Sequence, residues 1–308
     1  KFNEKEQERK LKQHEKQKER LRKLKEKQNQ RHLKVLEKTR KTRQKELAEK
    51  QRREALEKKR REIRKFLHNK IGLFQTPEEE DSFTRRIVRN SLLDGLIINA
   101  DYARSDLVDQ LLRANMPFVQ IGRPNTDVGI HYVDADNIGG GKLATQHLIK
   151  LGHNRIGQVA TAKNAAGIDR DLGYKFALAE HGIPLDENLI VYADFSESQA
   201  YQVTQDLLKQ RPSAIFVQSD WMAIGVIRAI QDAGLSIPDD IAIVSFDDLP
   251  IASRDKPHLS TIRQPITATG IGAVETLIRV IEAPSIAQQK ISLPVELIIR
   301  DTCGDITD

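Results

Sequence analysis

The chain has 308 residues, 39% of them apolar, a net charge of +6 and a single cysteine, Cys303. One cysteine excludes an internal disulfide and a cysteine-built metal site, and it fits a reducing compartment. No run of about 18 apolar residues is present to span a bilayer, and the N-terminus lacks the apolar stretch of a secretory signal; a cytoplasmic, non-membrane protein is expected.

The average conceals two unlike segments. Residues 1–70 hold 29 Lys and Arg against 12 Asp and Glu, a net of +17, and the remainder carries −11. From Lys1 to Ile71 there is neither Gly nor Pro, and Glu often precedes Lys by four residues, as in Glu6 to Lys10 and Glu54 to Lys58. Helix propensity therefore favours a basic helical extension over 1–72, about 105 Å long if continuous. A heptad frame started at Leu21 gives a coiled-coil-like seam, but puts Glu49, Lys38, Lys45 and Arg52 into it, which argues against a good coiled coil. Two readings stand: a nucleic-acid or partner-binding helix acting through its charge, or a solvated extension joined to the rest of the chain. No helix-turn-helix pattern is visible in it.

After Gly72 short β-branched runs alternate with amphipathic helices, the grammar of parallel α/β units. Strands are expected at Gly95–Ala100, Phe118–Ile121, Arg155–Ala160, Leu189–Tyr192, Ala214–Gln218 and Ile241–Phe246. One helical stripe, Ala144, Leu148 and Leu151, stops at Gly152; another, Met222, Val226, Ile227 and Ile230, stops at Gly234. Each of those glycines can supply a left-handed cap.

In open parallel sheets ligands bind at the carboxyl ends of the strands. The loops there carry Arg123, Asp134 to Asn137, Asp169-Arg170, Asp194-Phe195, Ser219-Asp220-Trp221 and Phe246-Asp247-Asp248. Acids, an amide, an arginine and aromatics are what a sugar or nucleoside pocket needs, because hydroxyls take bidentate polar partners and a ring face stacks on an aromatic. Each also has a structural explanation. Asp194, Ser219 and Asp247 suit helix N-caps, and Arg170 could pair with Asp169 or Asp171 on the surface.

Six segments between Leu151 and Pro265 resemble one family in order and spacing: Leu151-Gly152-His153-Asn154-Arg155-Ile156, Asp169-Arg170-Asp171-Leu172-Gly173-Tyr174, Ser219-Asp220-Trp221-Met222-Ala223-Ile224-Gly225, Ile237-Pro238-Asp239-Asp240-Ile241, Val244-Ser245-Phe246-Asp247-Asp248 and Leu259-Ser260-Thr261-Ile262-Arg263-Gln264-Pro265. The family is that of the LacI/GalR transcriptional regulators. The resemblance implies an α/β fold of two Rossmann-like lobes of periplasmic-binding-protein type I architecture, preceded here by the basic extension. It implies crossings between lobes near Thr161, Arg263 and Gln288. The first lobe would then be 73–160 plus 263–288, the second 161–262 plus 289–303, and 304–308 a tail.

The same resemblance implies a small-molecule effector, a sugar or nucleoside-like ligand, held between the lobes of a homodimer that also meets DNA. It makes Arg170 the bridge to effector hydroxyls, Asp247 the acceptor, Phe195 the aromatic wall and Ser219 a polar contact, with Asn99 and Arg123 reaching in from the first lobe. The departure is at the start, where neither the DNA-reading headpiece nor the family's first βα unit is recognisable. Ile71-Gly72-Leu73-Phe74 could be a remnant of the first strand or could belong to the second. Without that strand the first lobe is incomplete, with an unpaired edge.

Gly139-Gly140-Gly141-Lys142 lacks the spacing of a phosphate loop and reads as a tightly packed helix start. His147 and His153 lack a third ligand, so no metal is expected; nor is any cofactor. No nucleophile elbow exists, and Asp239-Asp240 and Asp247-Asp248 are neighbours whose side chains diverge, so no catalysis is expected. The alternatives are a periplasmic-type sugar receptor and a basic-helix binding protein with a non-sensing α/β passenger.

Overall fold

A computed structural model describes residues 93–304, apart from 101–104, 126–128, 162–163 and 255, and apart from the side chains of Ser105 and Asp106. The basic extension, the tail beyond Gly304 and the stretch Ile71–Phe74 lie outside the described residues.

Two sheets divide the chain. The first has the order β1-β2-β3-β9, all parallel, built from β1 (Leu96–Asn99), β2 (Phe118–Ile121), β3 (Tyr132–Ala135) and β9 (Lys290–Leu293). Its helices are α1 (Ser105–Arg113) and α6 (Ile266–Glu282). The second sheet runs β10-β8-β7-β6-β4-β5: β4 (Ile156–Thr161), β5 (Ile190–Ala193), β6 (Ala214–Val217), β7 (Ala242–Asp247), β8 (Thr261–Arg263) and β10 (Glu296–Ile298). Only β10 is antiparallel in it. Its helices are α2 (Asn137–Lys150), α3 (Ala165–Glu180), α4 (Glu197–Lys209) and α5 (Asp220–Asp232). None of the helices among the described residues is long and apolar enough to cross a membrane.

Strands buried on both faces need apolar residues throughout, and Ala214-Ile215-Phe216-Val217 has them; all four are buried. On one face Ile215, Val217 and Ile243 pack under Leu207 of α4 and Met222, Val226 and Ile230 of α5. On the other, Phe216, Val244 and Phe246 pack under Leu148 of α2 and Tyr174 and Leu178 of α3. Each such side chain contributes about 1.5–3 kcal/mol of burial. The first sheet has smaller cores: Leu107 and Leu111 of α1 against Phe118 and Ile130, and Ala273 of α6 against Val119 and Val133.

The crossings differ from expectation at two of three places. Strand β4 pairs with β5 and β6, so the chain has entered the second sheet before Thr161; it leaves the first after β3 at Asp136, and α2 already packs on α3. Strand β9 pairs with β3, which keeps 290–293 in the first sheet and moves the last crossing from Gln288 to the link between Leu293 and Glu296. The Asp136 amide donates to the Leu293 carbonyl at 2.8 Å, so these two links lie side by side. The remaining crossing follows Arg263 and leads to α6. The lobes are thus 93–135 with 266–293, and 136–263 with 296–304.

Glycines let α2 lie this close. A Cβ on Gly173 would stand 2.2 Å from the Ile138 carbonyl oxygen, one on Gly141 2.3 Å from that of Arg170, and one on Gly140 2.5 Å from the Phe246 ring. Asp136 caps α2 by accepting from the Gly139 amide at 2.8 Å.

Candidate functional site

Arg170, Asp247 and Ser219 meet at the carboxyl end of the second sheet. Arg170 stands in the second turn of α3, which begins just after β4 and is capped by Asn164. Its side chain is buried, with the guanidinium 3.7 Å above the centre of the Phe246 ring, the last apolar residue of β7. Nε donates to Asn137 Oδ1 at 2.9 Å and Nη1 to the Gln218 carbonyl at 2.5 Å, while Nη1 lies 3.5 Å from Asp247 Oδ1. Arg170 pairs with neither Asp169 nor Asp171; those acids pair with Arg123 and Lys175.

Asp247 ends β7. Ser219 Oγ donates to its Oδ2 at 3.1 Å, and Gln264 Nε2 donates to Oδ1 at 2.6 Å. Burial pushes the Asp247 carboxyl above its ordinary value, against the opposing pull of Arg170, Gln264 and Ser219. The residue has φ +117°, a conformation costing on the order of 1–3 kcal/mol on a non-glycine residue and retained only where its surroundings impose it. Ser219 also caps α5, accepting from the Trp221 amide at 3.3 Å, so one hydroxyl serves both the helix start and Asp247.

Two aromatics stand open at the same end. Phe195 (φ +67°) follows β5 and is 44% exposed, and Trp221, in the first turn of α5, is 54% exposed. The cap of α4 is Ser196 and not Asp194, which instead accepts from Ser196. Phe195 thus sits immediately before a helix start.

The first lobe supplies Arg123 and Asn99. Arg123 grips Asp169 with two bonds, Nε to Oδ2 and Nη2 to Oδ1, both 2.8 Å, which joins the end of β2 to α3 of the other lobe. That bidentate pair raises the Arg123 pKa, first through the hydrogen bond to Asp169. The Arg123 amide and Asn137 Nδ2 both donate to Asp134 Oδ2, so polar contacts continue to Arg170. Asn99 is exposed at the end of β1, paired in register with Ile121; β2 ends at Ile121, two residues before Arg123.

Sequence reasoning did not single out Gln264, which lies beyond β8 in the crossing to α6; the signal for it was its place directly after Arg263. Asn137, named among the strand-end residues, joins Asp134 to Arg170. Asp220, named beside Ser219, is enclosed by the fold. It is fully buried, takes Ser245 Oγ at 2.5 Å, Thr261 Oγ1 at 2.8 Å and the Leu249 amide at 2.7 Å, and burial pushes its pKa up to about 6. The histidines singled out above have structural partners: His147 Nε2 is 3.3 Å from Cys303 Sγ, and His153 Nδ1 is 3.1 Å from Ser213 Oγ. Among the described residues no three His, Cys, Asp or Glu cluster as metal ligands would.

One parallel sheet, one mostly parallel sheet, three crossings and a polar cluster at the strand ends between them define a two-lobed binding protein of the periplasmic-binding type. Residues 145–303 match the periplasmic binding protein-like domain family. The transcriptional regulator CelR of Thermobifida fusca is 32% identical over 215 residues, covering 68% of this chain and 63% of that regulator. A solved CelR–cellobiose complex superposes with a TM-score of 0.69 at 30% identity, over 74% of this chain and 71% of that one. A LacI-family regulator from Enterococcus faecium with bound ribose has a TM-score of 0.64 at 29% identity, over 72% and 83%. The chain belongs to the LacI family of transcriptional regulators and contains that family's effector domain. It spans under two thirds of the CelR length.

Proposed function

We propose that residues 93–304 sense a neutral sugar and pass its binding on to DNA control. The carrying observation is the pairing of one buried guanidinium, Arg170, with one carboxylate, Asp247, each held by further hydrogen bonds and flanked by exposed Phe195 and Trp221. A fork of donors beside an acceptor suits vicinal hydroxyls. The pair is internally neutral, which suits an uncharged ring better than a multiply charged phosphate. The two ligand-bound relatives named above carry sugars, one cellobiose and one ribose, while another LacI-family neighbour holds phosphate. No catalytic role follows from this arrangement; binding shifts the population of lobe arrangements, which needs only that the effector prefer one of them. The reading places the protein in the cytoplasm, working as a homodimer and meeting DNA through parts outside the described residues.

Trp221 is the only tryptophan, so its emission reports on the cleft. Titration with ribose, cellobiose, their phosphates and nucleosides is expected to give a saturable change with a neutral sugar. Asp247→Asn is expected to weaken that binding by about 10- to 100-fold, since a charge-assisted hydrogen bond contributes about 1.5–3 kcal/mol. Unchanged affinity in a folded Asp247→Asn protein would remove Asp247 from the site, and a preference for phosphates would overturn the neutral-sugar assignment.

A further inference from the structure

Asp247 and its neighbour Asp248 both have positive φ, +117° and +57°. Two consecutive non-glycine residues there turn successive side chains toward different places. Asp247 meets Arg170 and Ser219 at the cleft. Asp248, with its side chain 10% exposed, turns to the crossings. Its Oδ1 accepts from Arg300 Nη2 at 2.5 Å and its Oδ2 from Arg263 Nε at 2.6 Å.

Those arginines stand where the chain passes between lobes. Arg263 is the last residue of β8 before the crossing to α6, and Arg300 lies two residues beyond β10, the strand that follows the last crossing. Arg263 Nη1 also reaches Glu296, the first residue of β10, at 3.5 Å, and Arg300 Nη1 donates to the Leu259 carbonyl at 2.6 Å. The backbone is tied in the same way: the Gln264 amide donates to the Asp247 carbonyl at 3.3 Å, the Asp248 amide to Thr261 Oγ1 at 3.4 Å, and the Leu249 amide to Asp220. Burial works against the charge on Asp248, but Arg300 and Arg263 outweigh it and hold the carboxyl below its ordinary value.

We propose that Asp248 is a positioning residue: it fixes the left-handed turn that aims Asp247 into the cleft and clamps that turn to the two crossings, so that occupancy at Asp247 and the angle between lobes are set together. The role at Asp247 rests on the effector-site reading given above; the clamp does not. Arg263 ends the strand that leads into the crossing to α6 and Arg300 stands two residues beyond the strand that comes out of the last crossing, so a change of lobe angle at either strains the turn carrying Asp247. A bare structural ion pair would have no reason to sit on the residue next to the cleft acid.

The test uses the full chain with Asp248→Asn, because Asn accepts the left-handed backbone but loses both ionic contacts. Asp248→Gly serves if that variant does not fold, since Gly accepts the same φ without a side chain. Spin labels at Arg113→Cys on α1 and Lys209→Cys on α4, both exposed, read the distance between lobes without ligand, and buried Cys303 is shielded from labelling. The expected result is a broadened ligand-free distance distribution in Asp248→Asn and at least tenfold weaker binding of whichever of ribose or cellobiose the unaltered protein takes. Asp247→Asn is expected to lose affinity with the ligand-free distribution unchanged. An Asp248→Asn protein with the original distribution overturns the clamp, and a broadened one that keeps its affinity within twofold overturns the coupling. If the unaltered protein binds neither sugar, the effector reading fails instead, and the ligand-free distances still decide the clamp.

Discussion

The two sheets divide the labour unequally. The second has six strands with two helices on each face, and Ile215, Phe216, Val217, Ile243 and Val244 are wholly enclosed. The first has four among the described residues, and along β1 half-buried residues alternate with exposed ones, Ile97 being 36% exposed. Arg170, Asp247, Ser219, Phe195 and Trp221 all belong to the second lobe, and what the first brings to them is mainly the Arg123 grip on Asp169. A polar cluster keeps a fixed geometry only on a rigid support, and these residues stand on the body whose core can supply it. The lighter lobe, tied across by an ion pair at a partly exposed arginine, is the one suited to move.

The sharpest way to break this contrast is at the contact of α2 with α3. Gly173→Val puts a branched side chain where even a Cβ would lie 2.2 Å from a backbone oxygen and 2.6 Å from the Lys142 amide nitrogen. Neither neighbour is a flexible side-chain end, so the helices must part. The expected loss exceeds about 4 kcal/mol, read as the disappearance of a cooperative unfolding transition by near-ultraviolet circular dichroism. A variant that unfolds like the original would mean that the second lobe is not the rigid one.

Next in size is the buried acid. Asp220 is enclosed with a pKa of about 6 against an ordinary 3.8. With a folded-state pKa above the unfolded one, protonated Asp220 favours the folded protein; that contribution is complete below about pH 3.8 and is lost as pH rises through about 6. At about 1.4 kcal/mol per pKa unit, the swing is on the order of 3 kcal/mol. Urea unfolding of Asp220→Asn and the unaltered protein from pH 4 to 7 should show the variant gaining relative stability by about that amount as pH rises. The altered hydrogen bonds at the Asn amide add an offset that does not vary with pH. A flat difference would mean that Asp220 is charged throughout, carried by Ser245, Thr261 and the Leu249 amide.

How much of this could be read in the sequence depends on the range of the interactions concerned. Strand and helix rhythm is local, so Ala214–Gln218 was expected within a residue of the observed Ala214–Val217, and Gly152 and Gly234 do adopt positive φ, +94° and +74°, beyond their helices. Which sheet a strand joins is not local. Ile156–Thr161 has the same apolar run whichever neighbours it takes, and the crossing was placed after it instead of before α2. The clue was present in Gly139-Gly140-Gly141 and Gly173, whose missing side chains bring α2 onto α3 and Phe246. Strand β9, Lys290–Leu293, does alternate but is only four residues long, and Thr261–Arg263 and Glu296–Ile298, three residues each, are too short to show a period. Arg170, Asp247 and Ser219 were named from the sequence, and the structure brings the three together: Asp247 ends β7, Ser219 follows β6 and Arg170 stands in the second turn of α3. Gln264 was not singled out, because its approach to Asp247 depends on where a crossing turns. Arg123 was read as a first-lobe residue that can reach a ligand; that its side chain also grips Asp169, a partner 46 residues away, shows in no local pattern.

The smallest expected effect gives the finest comparison, because it lies within the weaker sheet. Ile97→Thr on β1 keeps a β-branched residue, so strand propensity is little changed and only packing and polarity are altered. At 36% exposure the hydroxyl can reach water, and the expected cost is about 0.5–1 kcal/mol. Val119→Thr on neighbouring β2 makes the same kind of exchange at a residue with no exposure, packed on Val133 and Ala273. There the hydroxyl is desolvated, and the expected cost is about 1–3 kcal/mol. Urea midpoints of the two variants measure the gradient from edge to centre directly. Equal losses would show β1 enclosed as fully as β2, and the inequality between the two sheets would then rest on strand number alone.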